Sequence, residues 1–156
     1  MIGKRGQGTT EYLIILAVVI VIALIVVGVM GWIPGLGTGI TESQSKAYWQ
    51  STSPFAITTY QVTDAAVPTI VARNNTSQSL SVTGMTINSV VYTIIDANFT
   101  GGQEASVSLI GDNAACTGGN PYSYEVEISY SKTVGGTTVP LTQIGTKPMV
   151  GVCVGA

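Results

Sequence analysis

Among 156 residues there are two cysteines and no histidine, so the side chains able to do chemistry are few. Without histidine the chain lacks the commonest general base, the commonest metal ligand and every Ser-His or Cys-His nucleophile pair. Two cysteines alone cannot complete any of the usual structural zinc ligand sets. Glu125 and Glu127 stand two apart in an alternating segment, about 6–7 Å from each other on one strand face. That separation suits a pair of carboxylates acting on a glycosidic bond, but a solvated sheet face explains them more simply. The run Asp96-x-Asn98-x-Thr100-Gly101 mimics the first half of a calcium loop. Its twelfth position is Val107 and offers no bidentate carboxylate, so it reads as a turn. Gly35-Leu36-Gly37-Thr38-Gly39 has the glycines of a phosphate-binding turn, yet no strand precedes it and no Lys-Ser/Thr follows. Six Lys and Arg against eight acids, scattered at a net charge of −2, leave no basic face for nucleic acid. The expectation is a chain that is not an enzyme, uses no cofactor or metal and binds no nucleic acid.

The elements that carry these residues follow from the charge map. Only 9% of residues are charged and mean hydropathy is +0.43. Between Glu11 and Glu42 lie 30 residues whose only ionisable group is the Tyr12 phenol. Within this gap Leu13–Met30 is aliphatic or Met except at Gly28. Eighteen such residues make a helix of roughly 27 Å, near the thickness of a bilayer's hydrocarbon core. Being apolar all round, it is no soluble amphipathic helix. From Glu42 to Ala156 the composition changes: 16 Thr and 13 Ser, with four basic and seven acidic residues. Lys4 and Arg5 on the short side place the amino end in the cytoplasm and the Ser/Thr-rich part outside.

The unusual feature lies before the apolar run. Residues Lys4-Arg5-Gly6-Gln7-Gly8-Thr9-Thr10-Glu11-Tyr12 set a lone carboxylate directly against it. An ordinary secretory signal would have a shorter apolar run followed by a small-residue cleavage site, and neither is present. The segment resembles the class III signal peptide of archaeal type IV pilins. There a short basic leader ends in Gly and is cut on the cytoplasmic side, before a helix that is retained. The matching positions are Gly6 before the cut, Gln7 as the new first residue, Thr9 third and Glu11 fifth. Thr9 departs conservatively from the more familiar Ser. A Gly-Ile-Gly-Thr-type start, which would point to archaellins, is missing.

The resemblance implies a cleaved leader at 1–6 and a hydrophobic helix and stalk at 7–52, with an apolar core over 12–31 and a break near 32–39, where Pro34 stands among glycines and Trp32 anchors at the interface. Residues 53–156 form the extracellular head, with 40–50 as a short amphipathic continuation of the stalk. It implies that Gln7 and Glu11 set register, the carboxylate meeting a neighbouring subunit's new amino terminus. The partners implied are copies of the chain itself, a prepilin peptidase, an assembly ATPase and its membrane platform protein. The chain would be held in the cytoplasmic membrane before assembly and would end in a surface pilus that serves adhesion. The alternatives are a single-span membrane-anchored binding protein and an archaellin-like or minor pilin subunit.

In the head, strands are expected at Phe55–Thr63, Pro68–Ala72, Ser79–Ile87, Val90–Ile95, Ala105–Leu109, Tyr122–Tyr130 and Thr137–Thr142, with a hairpin turn at Val134-Gly135-Gly136. The fold class is α+β: a long N-terminal hydrophobic helix followed by an antiparallel β-sandwich. Cys116 and Cys153, outside the cell, form one disulfide; the alternative is two free buried thiols. Such a bridge closes about 38 residues and contributes roughly 3–4 kcal/mol in the loop-entropy model. Asn74, Asn75 and Asn98 each begin an Asn-x-Ser/Thr acceptor motif for N-glycosylation.

Overall fold

The computed structural model describes residues 7–32 and 40–155, the side chains of 7, 9, 27–32 and 96 aside. It divides into two compact units, Met1–Gly39 and Ile40–Ala156.

The first unit contains α1 (Gln7–Trp32), one helix of 26 residues. Its side chains are described without interruption over 10–26, a stretch of 17 residues. Every one of them is exposed, the large apolar ones between 42% at Leu16 and 65% at Leu24. Among the described residues no helix is long and apolar enough to cross a membrane. The long apolar rod expected from the sequence is thus described with side chains only over this shorter length. The expected break near 32–39 falls outside the described residues, Trp32 excepted, whose backbone closes α1.

The second unit begins with α2 (Glu42–Ser51). Thr41 caps it: its Oγ1 accepts from Gln44 N at 3.3 Å, and Gln44 Oε1 accepts from Thr41 N at 3.1 Å. Ser45 and Trp49, four residues apart and so on one face, are both fully buried. That face packs against the head's own strands, so 40–51 belongs to the head. The stalk boundary expected at 52/53 therefore lies at 39/40. The reason is local: a helix carrying Trp49 buries that indole where apolar strands are at hand.

Ten strands follow: β1 (Phe55–Gln61), β2 (Thr69–Asn74), β3 (Leu80–Ile87), β4 (Val90–Phe99), β5 (Glu104–Val107), β6 (Leu109–Ile110), β7 (Pro121–Tyr124), β8 (Val126–Val134), β9 (Thr137–Ile144) and β10 (Met149–Val152). They form antiparallel sheets ordered β1-β2-β5, β10-β7 and β6-β4-β3-β8-β9. With two helices and ten antiparallel strands among the described residues, the class is α+β. The three-stranded and five-stranded sheets share one core, in which Phe55 of β1 meets Phe99 of β4 and Tyr130 of β8 edge-on, each at 5.5 Å. At the rim, Gln143 of β9 reaches across to the other sheet. Its Oε1 accepts from Phe55 N at 2.9 Å and its Nε2 donates to Phe55 O at 2.8 Å, both bonds buried.

Three expectations are corrected by pairing. The single strand over Tyr122–Tyr130 is two, β7 pairing with β10 and β8 with β3 and β9, because the chain changes sheets at Glu125. Ala105–Leu109 divides likewise into β5 and β6. The carboxyl-terminal strand β10 was not expected at all. In β3 a bulge at Thr83 restores the inward parity, so Leu80 and Val82 on one side of it and Met85 and Ile87 on the other all reach the core.

Candidate functional site

The chemistry-bearing residues fall into three groups: the start of α1, the loop joining β2 to β3, and the carboxyl-terminal latch. Gly6, the residue before the expected cut, lies outside the described residues. Gln7 is the first residue of α1, and Glu11 stands one helical turn later with its side chain exposed. Beyond Glu11 the described surface is Tyr12, Leu13, Ile14, Ile15 and Leu16 and their successors, apolar around the whole circumference and uncovered. Helical propensity does not explain a Val/Ile-rich helix in water, since β-branched side chains lose rotamer freedom there. A surface of this kind requires an apolar environment on every side.

The three acceptor motifs meet different fates. Asn74 ends β2 and is fully buried. Its Nδ2 donates to the carbonyls of Gln78 (2.6 Å), Phe99 (3.1 Å) and Thr100 (3.2 Å). Its Oδ1 accepts from Thr76 N (2.9 Å) and Thr76 Oγ1 (2.7 Å). Here the Asn-x-Thr pattern is a turn that ties β2 to the end of β4. The nitrogen a sugar would need at Asn74 is inside the protein and in use. Asn75 is exposed, but its Nδ2 donates to Thr52 O at 2.8 Å and its Oδ1 accepts from Arg73 Nε at 2.9 Å. Asn98 is exposed on β4, where it pairs with Ser81 of β3, whose hydroxyl donates to its Oδ1.

Cys116 and Cys153 are joined, their Cα atoms 5.9 Å apart. The bond fastens the residue after β10 to the loop before β7. Beside it Gly119 N donates to Cys153 O and Cys153 N to Asn120 O, each at 2.8 Å. Ser45 extends the latch to α2: its Oγ donates to Pro148 O at 2.8 Å and accepts from Val150 N at 2.9 Å. Tyr60 Oη donates to Val150 O at 2.7 Å. Burial pushes the phenols of Tyr60, Tyr122 and Tyr124 up, Tyr122 most strongly, and Tyr122 stacks on Tyr124 at 4.8 Å. These are structural phenols whose neutral form the core requires.

Glu125 lies at the break between β7 and β8, and Glu127 in β8 opposite Thr86 and Ile144. They border a shallow hollow with Thr86, Ser89 and Ile144. Of the calcium-like run, the Asp96 side chain lies outside the described residues, Asn98 is bonded by Ser81, and Thr100 donates to Gln103 Oε1 at 3.1 Å. Reading the sequence missed Asn74, Gln143 and Ser45 as organisers. For Asn74 a signal existed, since Asn followed by Thr and Ser at a strand end is turn chemistry. A buried Gln or Ser leaves none.

A family model described as the class III signal peptide matches residues 4–30. The match takes in Gly6, Gln7, Thr9, Glu11 and the apolar run through Met30, and none of the head. No curated protein matches the chain. A signal of this class is prepilin-type, and it indicates a pilin-like or archaellin-like secreted filament subunit. It implies processing by a prepilin peptidase and membrane insertion before assembly into an extracellular filament.

Proposed function

We propose that the chain is the precursor of a structural subunit of an archaeal type IV pilus, an adhesion filament, and has no enzymatic role. One observation carries the reading: a class III signal whose Gln7, Thr9 and Glu11 lead straight into a helix uncovered around its circumference. Cleavage after Gly6 removes Lys4 and Arg5, leaving four basic and eight acidic side chains and a free α-ammonium on Gln7. The helix spans the cytoplasmic membrane with its amino end inside. It then leaves lipid for a bundle of its siblings. Its apolar surface is satisfied equally in either setting, at roughly 25 cal/mol per Å², so the transfer is driven by an assembly ATPase acting through a membrane platform. Glu11, about 6 Å along the axis from Gln7, meets a neighbour's ammonium inside the bundle. There an unpaired charge is costly, and the pair sets axial register. The tests are the mass of the mature chain and the behaviour of Glu11→Ala. A mature chain starting at Gln7 or its pyroglutamate, found in sheared filaments, is expected. Glu11→Ala is expected to be processed normally and to yield few or no filaments. A chain that keeps Met1 and stays monomeric in membranes would point instead to an anchored binding protein. Abundant normal filaments from Glu11→Ala would remove the register role.

A further inference from the structure

Of the three acceptor motifs, the fold uses one internally, ties down the second and presents the third. Asn98 is exposed near the end of β4, and among the described residues its Nδ2 has no hydrogen-bond partner. Ser81 bonds its Oδ1 and so engages the opposite end of the carboxamide. Extended backbone sends alternate side chains to opposite faces. Phe99 is therefore buried in the core against Phe55, while Asn98 and Thr100, the two residues an N-glycosyl transferase must grip, are both exposed. Beside Asn98 lies a hollow of about 660 Å³ bordered by Ser79, Ser81, Ser131, Lys132 and Thr133. Short hydroxyls and an ammonium are the partners that sugar hydroxyls take.

We propose that Asn98 carries an N-linked glycan whose first sugar lies over this hydroxyl-lined hollow, and that Asn74 is never modified in the folded protein. The inference rests on the reading above that the head lies outside the cell. The donor is an oligosaccharide linked through phosphate to a polyisoprenoid lipid. Asn98 Nδ2 attacks its anomeric carbon and the N–C bond forms. The anomeric C–O bond breaks, the lipid phosphate leaves with the bonding pair, and the Nδ2 proton passes to a base of the transferase.

The test is peptide mass spectrometry of the full chain from cells that make it naturally, as wild type, Asn98→Gln and Thr100→Ala, with protease added to intact cells as the companion measurement. Both substituted positions, Asn98 and Thr100, are solvent-facing, so the variants keep the core. The expected result is a sugar mass on the Asn98 peptide of the wild type, abolished in both variants, and an unmodified Asn74 peptide. An unmodified Asn98 in a chain whose head is cut by external protease overturns the inference and leaves the filament reading intact. A sugar on Asn74 overturns it as well. A head protected on intact cells sinks the external placement, and both readings with it.

Discussion

Replacing Asn74 by alanine is expected to cost the head about 3–5 kcal/mol, far more than any other Asn→Ala change at an acceptor motif. The substitution removes five hydrogen bonds at once. Of the groups left behind, the Phe99 carbonyl loses a bond that is wholly buried. Stranding it costs about 1–3 kcal/mol. The carbonyls of Gln78 and Thr100 and the donors of Thr76 lie in partly exposed bonds, which water replaces at about 0.5 kcal/mol each. The expected loss is a large fraction of the 5–15 kcal/mol or so that a domain has to spare. For a unit of this size it lowers Tm by roughly 10–20 °C. Thermal and urea unfolding of disulfide-intact protein, followed by circular dichroism, would measure it. Asn75→Ala is the control: two exposed bonds, and a loss below about 1 kcal/mol. Equal losses in the two variants, or a smaller loss in Asn74→Ala than in the control, would show that this side chain does not organise the turn.

Gln143→Ala cuts both bonds from β9 to the Phe55 backbone in a buried site. It should destabilise the head by about 2–4 kcal/mol, and an unfolding midpoint unchanged from wild type would contradict a role in joining the sheets. The tyrosine cluster predicts alkaline weakening. Tyr60, Tyr122 and Tyr124 are neutral in the fold with pKa values raised by burial, so their contribution is complete below the unfolded value near 10 and is lost as pH rises through the raised folded values. Melting temperatures measured from pH 8 to 12 should hold flat and then fall above about pH 10, less steeply in Tyr122→Phe; an equally steep fall in that variant would show that other groups are responsible.

How much was legible depended on how far apart in sequence the deciding groups lie. Each motif at the amino end is read from neighbours along one helix: Gln7, Thr9 and Glu11 lie within a few residues of one another, and the apolar run needs no partner to be recognised. The strands β2, β4 and the first half of β8 were legible because inward and outward residues alternate, and β1 and β9 because they are rich in β-branched and aromatic side chains. Val134-Gly135-Gly136 marks the hairpin turn, where Gly135 and Gly136 take φ values of 57° and 83°. The change of sheets at Glu125 was not legible, since alternation runs through it without interruption from Tyr122 to Ile128. Only the partners differ, β10 on one side and β3 on the other.

The sequence by itself determined that a charge-free apolar helix follows a prepilin-type start, that the rest is a Ser/Thr-rich antiparallel β domain, and that it holds two cysteines. Those are local or compositional properties. Tertiary structure alone decided that α2 packs on the head through Ser45 and Trp49, that Cys153 is drawn to Cys116 by the β10–β7 pairing, and that Asn74 is spent inside while Asn98 is presented. The physical reason is the same in each case. Whether a polar or apolar group is stable where it stands depends on which distant backbone or side chain arrives to satisfy or cover it, and a window of neighbouring residues does not contain that partner.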